Sequence, residues 1–212
     1  MTPPQGMFTF ENSALVLIDY QPEMFDAVRS ETSAEVIDLN TRFLIRVAKL
    51  FDMPIVLSSV GVEIGTNSPI RESITDELPD YPVLDRHTMN AWEDPAFKSL
   101  VENTGRKRLI FGALWTEICL VYPVISAMDD GYAAMIVVDA AGGTSQLAHR
   151  SGIDRSVAAG AAPSTARAAA DELFRDWRSP QGAAYGKEIL PWYLPRLREL
   201  SAAHPDAAWA IN

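Results

Sequence analysis

The stretch that decides the fold is residues 108–140, RLIFGALWTEICLVYPVISAMDDGYAAMIVVDA. RLIFGAL is a short apolar run, and AAMIVVDA is another. Runs of this length without alternation are the signature of strands covered on both faces. Between them, Thr116 to Asp130 sets Ile118, Val121, Ile125 and Met128 at helical spacing, and Gly131 stands where a helix ends in a left-handed residue. A strand, a helix and a strand in that order predict a parallel crossover.

The same grammar extends in both directions. ALVLID (14–19) is an apolar run that ends in a carboxylate, and PIVLSS (54–59) is a second. Between them Thr32-Ser33-Ala34-Glu35 has capping-box spacing, followed by Val36, Leu39, Phe43, Leu44, Val47 and Leu50 at helical period. Residues 61–82 are irregular, with room for one short helix. YPVLDR holds a short third strand. Asp94-Pro95 reads as an N-cap with proline at the first helical position, leading into a helix that Gly105 ends. Beyond AAMIVVDA the sequence predicts a helix over 147–160, a weak sixth strand near 163–166 and a helix over 168–177. From Arg178 onward the period is lost, and the segment reads as a tail that packs on the body or on a neighbouring subunit. The expected architecture is α/β, three layers, with a six-stranded mostly parallel sheet in the order 3-2-1-4-5-6. One domain over 1–212 is expected, its core about 12–177.

Composition narrows the function. The chain has 212 residues, 48% of them hydrophobic, with a net charge of −10. An acidic surface repels nucleic acid and anionic membrane, so neither is an expected partner. The single cysteine, Cys119, excludes an internal disulfide and points to a reducing compartment. MTPPQGMFTF lacks the basic and apolar regions of a signal peptide, and no window reaches the length of a membrane span. A cytoplasmic protein is expected.

In open α/β sheets, ligands bind beyond the carboxyl ends of the strands where the strand order reverses. Asp19 and Tyr20, Ser58 and Ser59, Asp85 to His87, Trp115 to Cys119, and Asp139 to Ser145 occupy such ends. In the order 3-2-1-4-5-6, Asp19 and Cys119 face each other across the switch point. Arg86, from the outer strand, needs its loop to fold back over them. Thr116 as N-cap puts Cys119 in the first helical turn, where free N–H groups lower a thiol pKa and hold an oxyanion. Pro123 removes the donor to the Cys119 carbonyl, so the helix is expected to kink or open there. The residues alone leave two readings open. In one, Cys119 is an inert core residue, Asp19 organises a loop and Arg86 is solvated; in the other, the three form a catalytic group.

Three segments resemble the isochorismatase-like cysteine hydrolases. LVLIDYQPEMF (15–25) is similar to the family's first-strand signature. DRHTMNAWEDPAF (85–97) is similar to a segment that carries a lysine, with Arg86 in the lysine slot. GALWTEICLVYPVISAMDDGY (112–132) resembles the family's Thr-x-x-Cys block. HRSGIDR (149–155) and the arginine look most like the YcaC-like subgroup. The resemblance implies catalytic Asp19, Arg86 and Cys119, and a non-proline cis peptide between Trp115 and Thr116. It also implies an oxyanion hole of the Thr116 and Cys119 N–H groups. Tyr20, His87, Trp92 and Trp115 are the expected pocket walls. The implied reaction is hydrolysis of a small amide, carbamate or related C–N bond through a thioester, by a homo-oligomer between dimer and octamer. The alternatives are an isochorismatase-type vinyl ether hydrolase, or a binding or redox-sensing protein on the same fold. Zinc-binding relatives carry histidines after the second strand. SSVGVEIGTNSPI (58–70) has none, and His87, His149 and His204 lack ligand spacing, so no metal and no cofactor are expected.

Overall fold

Each apolar run becomes a buried strand, because helices cover both faces of the sheet. The computed structural model describes residues 6–211; the first five residues of MTPPQGMFTF lie outside the described residues. The chain runs β1 (Ser13–Ile18), α1 (Pro22–Asp26), α2 (Ala34–Leu50), β2 (Ile55–Val60), α3 (Glu72–Thr75) and β3 (Leu84–Arg86). It continues α4 (Pro95–Asn103), β4 (Arg108–Ala113), α5 (Val121–Asp129), β5 (Ala133–Val137), α6 (Gln146–Ala158), β6 (Ala162–Ser164) and α7 (Ala166–Phe174). After α7 come α8 (Pro180–Ala184) and α9 (Leu190–Ala203). The sheet order is β3-β2-β1-β4-β5-β6, and each neighbouring pair is parallel. β1 and β4 pair at the centre, Ile18 opposite Ala113, so their carboxyl ends open together where the order reverses.

Alternate residues of β1 supply two cores. Leu15 and Leu17 pack with Ile37 and Phe43 of α2 and with Ala169 and Leu173 of α7. Ala14, Val16 and Ile18 pack with Phe97 and Val101 of α4 and with Val124 and Ala127 of α5. No helix among the described residues is long and apolar enough to cross a membrane.

Two local expectations are corrected. The N-cap of α2 is Ser33, not Thr32: its side chain accepts from the Val36 N–H. The segment after Arg178 is largely helical. Tyr193 of α9 stacks on Phe43 with ring centroids 4.2 Å apart, and its hydroxyl donates to Asn40 Oδ1 at 2.7 Å. Prolines at 191 and 195 hid this helix, since Pro195 sits inside it and proline is the usual sign of a helix end.

Tyr20, expected in the pocket, is instead a fully buried tie. Its hydroxyl donates to the Ala140 carbonyl at 2.5 Å, joining the exits of β1 and β5. Gly112 of β4 makes room for it: a Cβ there would lie 2.3 Å from the Tyr20 hydroxyl. Gly112→Ala is therefore expected to cost roughly 2–3 kcal/mol through overpacking and a strained hydrogen bond. Thermal unfolding checks it; an unchanged Tm would mean that the ring has room to move.

Candidate active site

The site begins at the carboxyl end of β1. Asp19 leaves the strand with φ of 62°, a left-handed conformation that aspartate tolerates better than most residues. Such a backbone costs about 1–3 kcal/mol and persists where its surroundings hold it. Here the Asp19 N–H donates to the Ser58 carbonyl at 2.9 Å, and the Asp19 carbonyl accepts from Gln21 at 2.8 Å. The buried Gln21 side chain then clamps the next loop, accepting from the Val60 N–H at 3.0 Å and donating to the Ser68 carbonyl at 2.7 Å.

Arg86 reaches this carboxylate from the end of β3 with its own side chain; its loop has no need to fold back. One guanidinium nitrogen, Nη2, lies 2.5 Å from Asp19 Oδ2, and both side chains are fully buried. Nη1 donates to the Thr88 carbonyl. Cys119 lies across the crevice, 5% exposed, where its side chain interacts with Asp19. Among the described residues Asp19 Oδ1 is buried without another hydrogen-bond partner, and the Cys119 thiol lies beside that carboxylate.

The electrostatics reverse one expectation. Burial, and then the negative charge of Asp19, push the Cys119 thiol up to about 12, so its position in a first helical turn does not make it a resting thiolate. Burial pushes Asp19 up to about 6, against the opposing pull of Arg86. At neutral pH the pair is a carboxylate beside a protonated thiol.

The turn that carries Cys119 also departs from expectation. Residues Thr116–Leu120 form a π-helical turn, with Leu120 donating to the Trp115 carbonyl at 3.2 Å, before α5 begins. Pro123 leaves the Cys119 carbonyl without an i+4 donor, which is consistent with this wider turn. The N-cap position belongs to Trp115, not Thr116. The cis peptide joins Leu114 to Trp115, one bond earlier than the resemblance implied. The Thr116 N–H donates to the Gly142 carbonyl at 2.9 Å, so it is not free to hold an oxyanion. The Trp115 N–H is the group aimed at the Cys119 sulfur.

Two residues that the sequence reading did not place at the site support this turn. His149 of α6 is buried, and its Nδ1 lies 2.7 Å from the Thr116 hydroxyl. Gly152 lets α6 press against the turn: a Cβ there would meet the Thr116 carbonyl oxygen at 2.8 Å. Gly152 lies three residues after His149, which is the one sequence signal that the two share a helix face.

A cavity of 380 Å³ opens over Cys119. Met24 of α1 forms one side. Val60, Gly61, Ile64, Thr66 and Asn67 bring in the loop after β2, and His87 and Met89 the segment after β3. Trp115 and Ile118 complete the wall. His87 and Trp115 line it, while Tyr20 and Trp92 do not. Trp92 is buried against Phe97 and Tyr132, and its indole N–H donates to Asp130 at 2.7 Å. A larger cavity of 790 Å³ sits near Lys49, Pro54 and Arg106, by the amino ends of β2 and β4, and holds none of these residues.

Glu63, Asp85 and His87 converge near the mouth, with one ligand atom from each within 4.8 Å of the others. No spacing in the sequence announces this grouping. The Asp85 oxygens are already engaged, accepting from Ser59 Oγ at 2.9 Å, the Val62 N–H at 3.1 Å and the Glu63 N–H at 2.8 Å. That carboxylate fastens the loop after β2 to β3.

A parallel sheet in this order, with an acid, a cation and a cysteine gathered at its switch point, defines a class. Residues 13–168 match the isochorismatase domain, and the chain belongs to the isochorismatase family of hydrolases. Within it the chain is YcaC-like. It is 33% identical over 180 residues to the probable hydrolase YcaC of Escherichia coli, covering 84% of this chain and 86% of that protein. The crystal structure of that gene product, described as an octameric hydrolase of unknown specificity, superposes with a TM-score of 0.83 at 30% identity, over 96% of this chain and 98% of that one. YcaC from Pseudomonas aeruginosa, solved with hexane-2,5-diol and covalent acrylamide, gives 0.81 at 27% identity, over 93% and 98%.

Proposed function

We propose that this protein hydrolyses a small amide, carbamate or related C–N bond, with Cys119 as nucleophile and Asp19 as general base. The observation that carries the reading is the buried Asp19 carboxylate held between Arg86 and the Cys119 thiol at the floor of the cavity. Asp19 takes the thiol proton as sulfur attacks the carbonyl carbon. The oxyanion rests on the Trp115 and Cys119 N–H groups. Asp19 then passes the proton to the leaving nitrogen, the C–N bond breaks and a thioester remains. Water, deprotonated by Asp19, cleaves the thioester and restores the thiol. Arg86 stays charged throughout, so it positions Asp19 and relays no proton. The P. aeruginosa relative carries covalent acrylamide; acrylamide is captured at its vinyl carbon with the amide left intact, so this supports a reactive nucleophile on the fold and not the amide cleavage itself. A panel of small amides, read by ammonia or amine release and by the mass of the trapped acyl-enzyme, tests the reading. Hydrolysis without a cysteine-linked acyl intermediate would sink it.

The pH profile follows from the pair. The base must be ionised, and Asp19 is raised to about 6. Activity is expected to rise about tenfold per pH unit below pH 6 and to level off above it. The thiol, raised to about 12, adds no second limb near neutrality. A profile already flat between pH 4 and 6 would exclude Asp19 as base.

We also propose a homo-oligomer. The support is the E. coli relative, which is described as an octameric hydrolase and superposes over 96% of this chain. Light scattering that finds a monomer at micromolar concentration rules this out.

A further inference from the structure

We infer that the cavity over Cys119 selects uncharged amides with a short aliphatic substituent and rejects those that carry a carboxylate. The inference rests on the cysteine-amidase reading above and narrows its substrate. Among the described residues, no Lys, Arg, Asp or Glu side chain lines the cavity. Met24, Val60, Ile64, Met89, Trp115 and Ile118 make the wall apolar, and the methionines adapt to irregular aliphatic shapes. A volume of 380 Å³ is near the lower end of small-molecule sites, about 300–1,000 Å³.

The few polar groups do not suit an anion. Asn67 Nδ2 is turned to the Val60 carbonyl at 2.9 Å. Among the described residues His87 is the one titratable side chain in the wall beside Cys119, and Glu63 and Asp85 lie close to it. The cation beside Asp19, Arg86, is spent on that carboxylate and on the Thr88 carbonyl. Among the described residues its Nε has no hydrogen-bond partner, but that side chain is 0% exposed and outside the cavity wall. A carboxylate here would exchange water for methionine and isoleucine, with no counter-charge and with the Asp19 carboxylate below it. The chain's net charge of −10 opposes its approach as well.

Alkylation of Cys119 in the intact protein tests this without turnover. Iodoacetamide and iodoacetate share size and leaving group and differ in charge. Their rate ratio at pH 7.5, divided by the same ratio for glutathione, is expected to exceed about 100; a value near 1 overturns the inference. Ile64 stands at the mouth, 64% exposed, and Ile64→Lys is expected to lower the ratio about tenfold or more. An unchanged ratio means that wall charge does not govern selection. In turnover, 4-methylpentanamide and succinamate carry isosteric isopropyl and carboxylate ends, and kcat/KM is expected to favour the first by about 100-fold. Comparable values for both overturn the charge selection and leave the amidase reading standing. If neither turns over while the alkylation ratio holds, the amidase reading falls and the selection stands.

Discussion

Cys119→Ala is expected to lower amide hydrolysis by about 10³–10⁴-fold or more, to the level of unassisted binding and oxyanion stabilisation. The loss is chemical rather than structural. The substitution removes one sulfur from a buried site, a change of about 1 kcal/mol in packing, so the variant folds. Asp19→Asn is expected to act at the same step, because asparagine cannot take the thiol proton. The two residues work as one unit, so the double variant should be no slower than the worse single variant. Steady-state ammonia release from the single and double variants checks this. An Asp19→Asn protein with wild-type kcat would assign the base elsewhere, and a Cys119→Ala protein with full activity would remove the covalent mechanism.

The second large effect concerns Arg86. Arg86→Met is expected to destabilise the protein by about 3–5 kcal/mol at pH 7, since it strands a buried carboxylate. For a chain of this size that is a Tm drop of roughly 6–20 °C. The sign of its pH dependence follows from Asp19, whose folded pKa is raised from its ordinary value of 3.8 to about 6. The folded state therefore binds the proton more tightly than the unfolded state, and stability falls as pH rises through that window. Removing the guanidinium takes away the largest opposing influence on Asp19, so its pKa rises further. The Tm deficit of the variant is expected to shrink as pH falls and Asp19 becomes neutral, and its activity limb to move above pH 6. Arg86→Lys keeps the charge but cannot hold Asp19 and the Thr88 carbonyl together as the planar fork does. It is expected to recover most of the stability and to leave the limb near its original place. A deficit that is constant with pH would mean that Arg86 acts by packing alone.

The element pattern was legible because parallel strands buried on both faces are continuous apolar runs, as ALVLID and RLIFGAL are. Asp94 caps α4 with Pro95 behind it, as the dipeptide announced. α9 was not legible, because its internal Pro195 imitates a stop. Tyr20 and Trp92 show a limit of another kind. Tyr20 follows Asp19 directly, yet side chains a single position apart leave a strand in different directions, and Trp92 lies three residues beyond the wall residue Met89. Tyr20 is taken by the Ala140 carbonyl and Trp92 by Asp130. The tie of His149 to this turn was invisible for the converse reason: its partner Thr116 is 33 residues away.

By itself the sequence determined the strand order's ingredients and the chemical types available at the strand ends: a carboxylate, an arginine and a cysteine. These are properties of short stretches, set by local hydrophobic pattern and by residue identity. Only the tertiary structure decided what those groups are like. Burial, which no local stretch specifies, raises both Asp19 and Cys119 and makes the site a base beside a thiol rather than a resting thiolate. The cavity wall was likewise beyond the sequence, since Met24, Ile64, Met89 and Trp115 come from four separate segments that meet only when the sheet order brings their loops to one edge.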